Sequence, residues 1–157
     1  MSLKVTIDKV AGVLKNIKQI ETARVLVGIP KEDNARSDDP IGNAGIGYVQ
    51  EFGSPAKNIP ARPFLIPGIK AVQDKTADIL KDGASKVLDN GTMIASLTKA
   101  GIVAQNSVKA TITKGEGFEP LAESTIKARQ RKGFKGTKPL IRTGQLRNSI
   151  TYIVKGA

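Results

Sequence analysis

The sequence has no cysteine, no histidine and no tryptophan, and aromatic residues make up only 4% of it. Without cysteine there is no disulfide framework, no thiolate metal site and no cysteine nucleophile. Without histidine the usual general base near neutral pH, the usual metal ligand and the usual pH switch are missing as well. Zinc would lack both of its favoured ligand types. Catalysis would have to rest on Asp, Glu, Lys, Tyr or Ser/Thr, so a protein that is not an enzyme is expected. No apolar run approaches the roughly 20 residues needed to span a bilayer. Met1-Ser2-Leu3-Lys4 leads into an amphipathic pattern, not the apolar core of a signal peptide, so a soluble, unexported chain with no membrane partner is expected.

Acidic residues are also scarce, 14 against 25 Lys and Arg, for a net charge of +11. The imbalance is local: from Ser124 to Ala157 there are nine basic residues and no acidic one. Lys127, Arg129, Arg131, Lys132, Lys135, Lys138, Arg142 and Arg147 form the kind of tract that contacts phosphates, because clustered cations release condensed counterions on binding DNA. Only Phe134 and Tyr152 lie near them, which argues against a single-strand stacking platform or an RNA module. A solvated face or an acidic protein partner accounts for the same charge.

What is present is a run of amphipathic segments. Ile7, Val10, Leu14, Ile17 and Ile20 or Glu21 recur every three or four residues and predict a one-sided N-terminal helix, capped by Thr6 or Asp8. Ala23 to Ile29 is short, rich in branched aliphatics and stopped by Pro30, which predicts a buried strand. Lys31 to Gly45 reads as a loop, and Ile46 to Phe52 as a short helix ended by Gly53. Pro55, Pro60 and Pro63 punctuate the next stretch. Ile66, Ile69, Val72, Thr76, Leu80, Ala84 and Val87 make one helical stripe, with Pro67 in its first turn. Ile94, Leu97, Gly101, Ala104 and Val108 make another, and the break at Asn90-Gly91 predicts that the two form a hairpin. A short basic helix around Glu123 to Arg131 follows. Thr143 then caps a turn through Arg147, and Ser149 to Val154 alternates as a closing strand with Ile150, Tyr152 and Val154 on one face.

The expected fold is therefore α+β: a single compact domain over residues 1–157 with a small antiparallel or mixed sheet, an N-terminal helix and a central long helical hairpin. A chain of this length can bury roughly 68–70% of its unfolded surface without staples. Mobile loops are expected at 31–45, 115–122 and 132–139.

Three clusters invite chemistry and fail on context. Gly42-Asn43-Ala44-Gly45-Ile46-Gly47 follows an acidic loop instead of a strand, and its spacing matches neither GxGxxG nor a Walker A motif. Glu32, Asp33, Asp38 and Asp39 lack the ordered ligand spacing of a calcium loop. Glu116, Glu119 and Glu123 come with no nucleophile elbow and no aromatic sugar platform.

Three further stretches are informative as an ordered set. Gly45-Ile46-Gly47-Tyr48-Val49-Gln50-Glu51-Phe52-Gly53 is followed by Ile59-Pro60-Ala61-Arg62-Pro63-Phe64-Leu65. Late in the chain comes Lys138-Pro139-Leu140-Ile141-Arg142-Thr143-Gly144-Gln145-Leu146-Arg147-Asn148-Ser149-Ile150, preceded by Leu121, Thr125, Arg129 and Gly133 at fixed spacing. Together they resemble the signature of phage virion-morphogenesis proteins, which include neck, head-to-tail joining and tail-completion proteins of tailed bacteriophages. The resemblance covers about Val25 to Val154, with Gln50 standing where many relatives carry His.

That resemblance implies an α+β subunit without a cofactor that assembles as a homo-oligomer, commonly a sixfold ring, between connector and tail proteins. It implies a place in the virion, and in the host cytoplasm during assembly. A ring would let the basic tract face genomic DNA in a central channel. Tyr48, Phe52, Ile59, Arg62, Phe64 and Leu65 are the interface candidates, because the prolines between Ile59 and Pro67 restrict φ and preorganise an arm for docking. The competing reading is that Phe64 and Leu65 cover the chain's own core while Arg62 lies on the surface. The alternative functions are a non-specific DNA-binding protein of a phage or mobile element and, more remotely, a hydrolase of a mobile element.

Overall fold

The computed structural model describes residues 10–35, 41–89 and 91–156. These form an α+β fold organised around one long helix. In chain order the elements are α1 (Val10–Thr22), β1 (Arg24–Gly28), α2 (Gly42–Phe52), α3 (Leu65–Lys70), α4 (Gln73–Leu88), α5 (Ile94–Lys114), α6 (Glu123–Arg131), α7 (Gln145–Asn148) and β2 (Thr151–Lys155). Single 3-10 turns occur at Lys31–Asp33 and Pro55–Lys57.

The axis of the fold is α5. Leu97, Gly101, Ala104, Val108 and Ile112 recur at helical spacing, and all are buried. The helix stops at Gly115, whose N–H still closes on the Thr111 carbonyl while its left-handed φ of 68° turns the chain out of the helix. At 21 residues it is about 30 Å long, enough to carry two separate packing sites. α4 packs against it through Val87, Met93 and Leu97, and Phe64, Val108, Ile112, Leu146 and Ile150 form a second cluster. The β1–β2 ribbon lies against the same helix.

The ribbon is antiparallel, with Val25 opposite Val154, Leu26 opposite Ile153 and Val27 opposite Tyr152. Because side chains alternate across a strand, Val25 and Val154 face the core while Leu26 and Ile153 face outward. Two strands alone are marginal in water, so α5 supplies the surface that stabilises them. The hydroxyl of Thr22 donates to the Gly156 carbonyl at 3.0 Å and ties the entry of β1 to the exit of β2.

Several expectations are corrected here. The helix expected from Ile66 to Val87 is two, broken at Val72, where φ is −125°. Ile69, Val72, Thr76 and Leu80 keep their three- and four-residue spacing through the break, so periodicity could not reveal it. α2 begins at Gly42 rather than Ile46. Its glycine-rich start looks like loop, but Asn34 caps it from outside. The Asn34 side chain accepts the Ala44 N–H at 2.7 Å, and the Asn34 carbonyl accepts the Asn43 N–H at 2.8 Å. β1 is buried on one face only, since Leu26 is 48% exposed. The stripe of α1 is uncovered: Val10, Leu14 and Ile17 are exposed, and only Ile20 reaches the core. Thr6, Ile7, Asp8 and Asn90 lie outside the described residues. The last short helix starts at Gln145, whose N–H is 3.4 Å from the Thr143 hydroxyl.

Candidate functional site

Charged and polar side chains do their most specific work where α2 meets α3. Glu51, on α2, is 6% exposed. Its Oε2 accepts the N–H groups of Phe64 and Leu65 at 2.7 and 2.8 Å, and its Oε1 accepts that of Ile66 at 3.0 Å. These are the amides that a helix start leaves without partners. The next residue is Pro67, which has no N–H to satisfy. One carboxylate from a different helix thus completes the N-terminus of α3, where negative charge also opposes the helix dipole favourably.

Gly53 makes this geometry possible. Its φ is 77°, and a Cβ there would lie 2.9 Å from the Ala61 nitrogen and 3.0 Å from the Ile59 oxygen. The chain therefore turns tightly after Phe52, passes through Pro55–Lys57 and returns at the Ser54–Ile59 bridge, where each backbone N–H bonds to the other's carbonyl. The loop between the first two signature stretches is closed by its own hydrogen bonds.

Arg62 lies inside the protein, 6% exposed, and not on the surface where the competing reading of the arm put it. Its backbone N–H donates to the Gln50 carbonyl at 2.6 Å. The guanidinium donates from Nε to the Glu119 carbonyl at 2.6 Å, from Nη2 to the Pro120 carbonyl at 2.9 Å and from Nη1 to the Gln50 side chain at 3.4 Å. A planar fork with several donors can hold α2 and the 119–120 loop at once, which an ammonium could not do with the same geometry. Gln50 serves here as an acceptor.

The third stretch joins the other two through packing. Leu146 and Ile150 share a buried cluster with Phe64, Val108 and Ile112. At Gly47 a Cβ would stand 3.6 Å from Leu146 and 3.7 Å from Phe64, so all three stretches meet at that glycine.

The six interface candidates divide accordingly. Tyr48 and Phe52 are 67% and 58% exposed, and their ring centroids lie 4.9 Å apart on the outer face of α2. Beside them, Gly28, Ile29, Leu65 and Ile66 line an apolar notch of about 220 Å³. Ile59 and Leu65 are half-buried, and Phe64 is 2% exposed in the core. Phe64 is accounted for by the chain's own core.

The basic tract is likewise divided. The Nη1 of Arg129 donates to the carbonyls of Gly136, Lys138 and Ile141 at 3.3, 2.9 and 3.1 Å, which folds residues 132–141 back onto α6. Burial first, then the neighbouring Arg142 and Arg62 guanidinium groups, push its pKa below the usual arginine value. It remains a cation, as arginine does in proteins. The Nζ of Lys138 donates to the Thr113 carbonyl at 3.2 Å, and Arg147 reaches the Thr113 hydroxyl at 3.4 Å. Arg142 stands 5.5 Å from the centroid of the Phe134 ring. Lys127 pairs with Glu123 at 3.8 Å, a solvated contact worth little. Arg131, Lys132 and Lys135 are exposed.

Glu51 is a structural acid that no motif in the sequence marks as one. The available signal was a single carboxylate among the apolar residues of α2, followed by a proline-restricted helix start that needs an acceptor. Of the clusters that invited chemistry, Gly42 and Gly47 are buried in α2, and Glu116, Glu119 and Glu123 are exposed. No helix among the described residues is long and apolar enough to cross a membrane. Comparison with family models, curated proteins and solved structures finds no match for this chain.

Proposed function

We propose that this chain is a non-enzymatic structural subunit of a tailed-phage virion, acting in tail completion or head-to-tail joining as one member of an oligomeric ring. The observation that carries the reading is the convergence at Gly47. The three separated stretches of the resemblance are one physical unit, bound by the Glu51 cap, the Arg62 fork and the Phe64–Leu146–Ile150 packing. A set of residues so coupled explains why they would occur together in order, which chance similarity of three short stretches would not. The unit leaves Tyr48 and Phe52 outside as a paired aromatic surface, the residue types enriched where proteins dock.

The test is electron microscopy of lysates from a phage that encodes this chain, with its gene deleted, beside a complemented control. Filled heads separated from tails, or tails with abnormal ends, are expected. Normal, infectious particles would falsify the reading. They would favour the second one, non-specific DNA binding, which the exposed Arg131, Lys132 and Lys135 support. In that case the free subunit should bind duplex DNA with an affinity that falls steeply as salt rises.

A further inference from the structure

A concavity of about 870 Å³ opens between α2, the proline loop and α6. Ile46, Val49, Ile59 and Pro60 line it from the α2 side, and Leu121 and Leu140 extend the apolar surface toward α6. The α6 side presents Thr125 and Ala128, both exposed and too short to fill the space. Lys57, Arg62, Arg129, Lys132 and Arg142 also line it, against a single acidic residue, Glu119. Arg62 and Arg129 are anchored by backbone carbonyls, which hold the guanidinium groups in place without neutralising them. Burial first, then the neighbouring Arg142 and Arg62 guanidinium groups, lower the Arg129 pKa, in keeping with several cations lining one concavity.

We propose that this groove is a docking site for a segment of a partner protein that carries both acidic and large apolar side chains. Charge complementarity identifies the partner: an entering carboxylate relieves the repulsion among the cations, and bidentate pairing with a fixed arginine adds geometric selectivity. The apolar lining selects protein over nucleic acid. A phosphate backbone gains nothing from Ile46, Val49, Ile59 and Leu140, and no aromatic residue lines the groove to stack on a base. A peptide with Leu, Ile or Phe between Asp and Glu satisfies both kinds of surface. The proposal does not depend on the assembly reading above, since the groove belongs to one copy of the chain.

The experiment is a selection of random dodecapeptides on the purified protein, followed by fluorescence anisotropy of an enriched, labelled peptide. Sequences combining Asp or Glu with large apolar residues are expected to dominate. Ala128→Trp, which places a bulky side chain in the groove from an exposed helix position, should weaken binding at least about tenfold, as blocking a central pocket does. Lys132→Glu should weaken it about fivefold or more, with the difference shrinking as salt rises. Lys135→Glu, outside the lining, should stay within about twofold because its charge is solvated and screened. Circular dichroism of each variant checks that the fold is retained. Peptides without acid enrichment, no enrichment at all, or equal binding by Ala128→Trp would overturn the proposal. Displacement of the peptide by duplex DNA, with DNA binding itself lost in Ala128→Trp, would reassign the groove to nucleic acid.

Discussion

Two regions of the molecule carry charge in opposite ways. At the α2–α3 junction, Glu51 and Arg62 are each 6% exposed and surrounded by hydrogen-bond partners from other segments. Along α6 and the turn after it, Arg131, Lys132 and Lys135 stand in water. A buried charge is tolerable only when bonded, and removing it strands its partners. A solvated charge contributes almost nothing to folding and is free to meet another molecule. The first region defines the shape of the molecule, and the second leaves its charge open to solvent.

The sharpest way to break this comparison is Glu51→Ala. Three amides at the start of α3, that of Phe64 buried and those of Leu65 and Ile66 partly so, would lose their acceptor. Leaving buried donors unpaired predicts a loss of about 3 kcal/mol in urea unfolding. Glu51→Gln keeps an acceptor oxygen but turns an amide group toward N–H donors, so its loss should be smaller, about 1–2 kcal/mol. Equal stability of Glu51→Ala and the parent would mean that the cap is not what holds α3.

Arg62→Met comes next. Methionine fills similar space but donates nothing, which frees the Glu119 and Pro120 carbonyls. Because those carbonyls lie near the surface and can turn to water, a loss of about 2 kcal/mol is expected. Hydrogen exchange should report it locally: amides in residues 116–122 and in the 59–62 turn should exchange faster, while those of α5 keep their protection. Uniform acceleration across the chain would show that Arg62 supports the whole fold and not this junction alone.

How much of this was legible beforehand depends on the kind of signal. α5 was plain because Leu97, Gly101, Ala104 and Val108 repeat at one period, the first strand because a short run of branched aliphatics stops at Pro30, and the last because Ile150, Tyr152 and Val154 alternate. The break at Val72 was hidden, since spacing on both sides stays in phase. The early start of α2 was hidden too, because its cap comes from Asn34, eight residues before Gly42, across a stretch that reads as loop. The site was legible as a pattern but not as a mechanism. Proline placement marked the arm at Ile59 to Leu65, yet nothing local says that Phe64 turns inward while Tyr48 and Phe52 stay outside. That partition follows from where α2 and α3 cross, a tertiary fact. The same limit explains Arg62: a lone arginine is ordinarily read as surface, and only its carbonyl partners, more than fifty residues away, make burial acceptable.

The smallest folding effect belongs to the outer face. Tyr48 and Phe52 touch each other but are mostly exposed, so Tyr48→Ser with Phe52→Ser should change monomer stability by within about 0.5 kcal/mol, the range of ordinary surface substitutions. If the aromatic pair is an assembly surface, the same double variant should fail to complement a gene-deleted phage and should leave heads and tails unjoined or tail ends abnormal. A variant that folds like the parent and complements fully would move the contact elsewhere on the subunit, with the exposed stripe of Val10, Leu14 and Ile17 on α1 as the next surface to alter. A variant that unfolds would instead show that the pair belongs to the junction it borders, making the outer face of α2 as structural as its inner one.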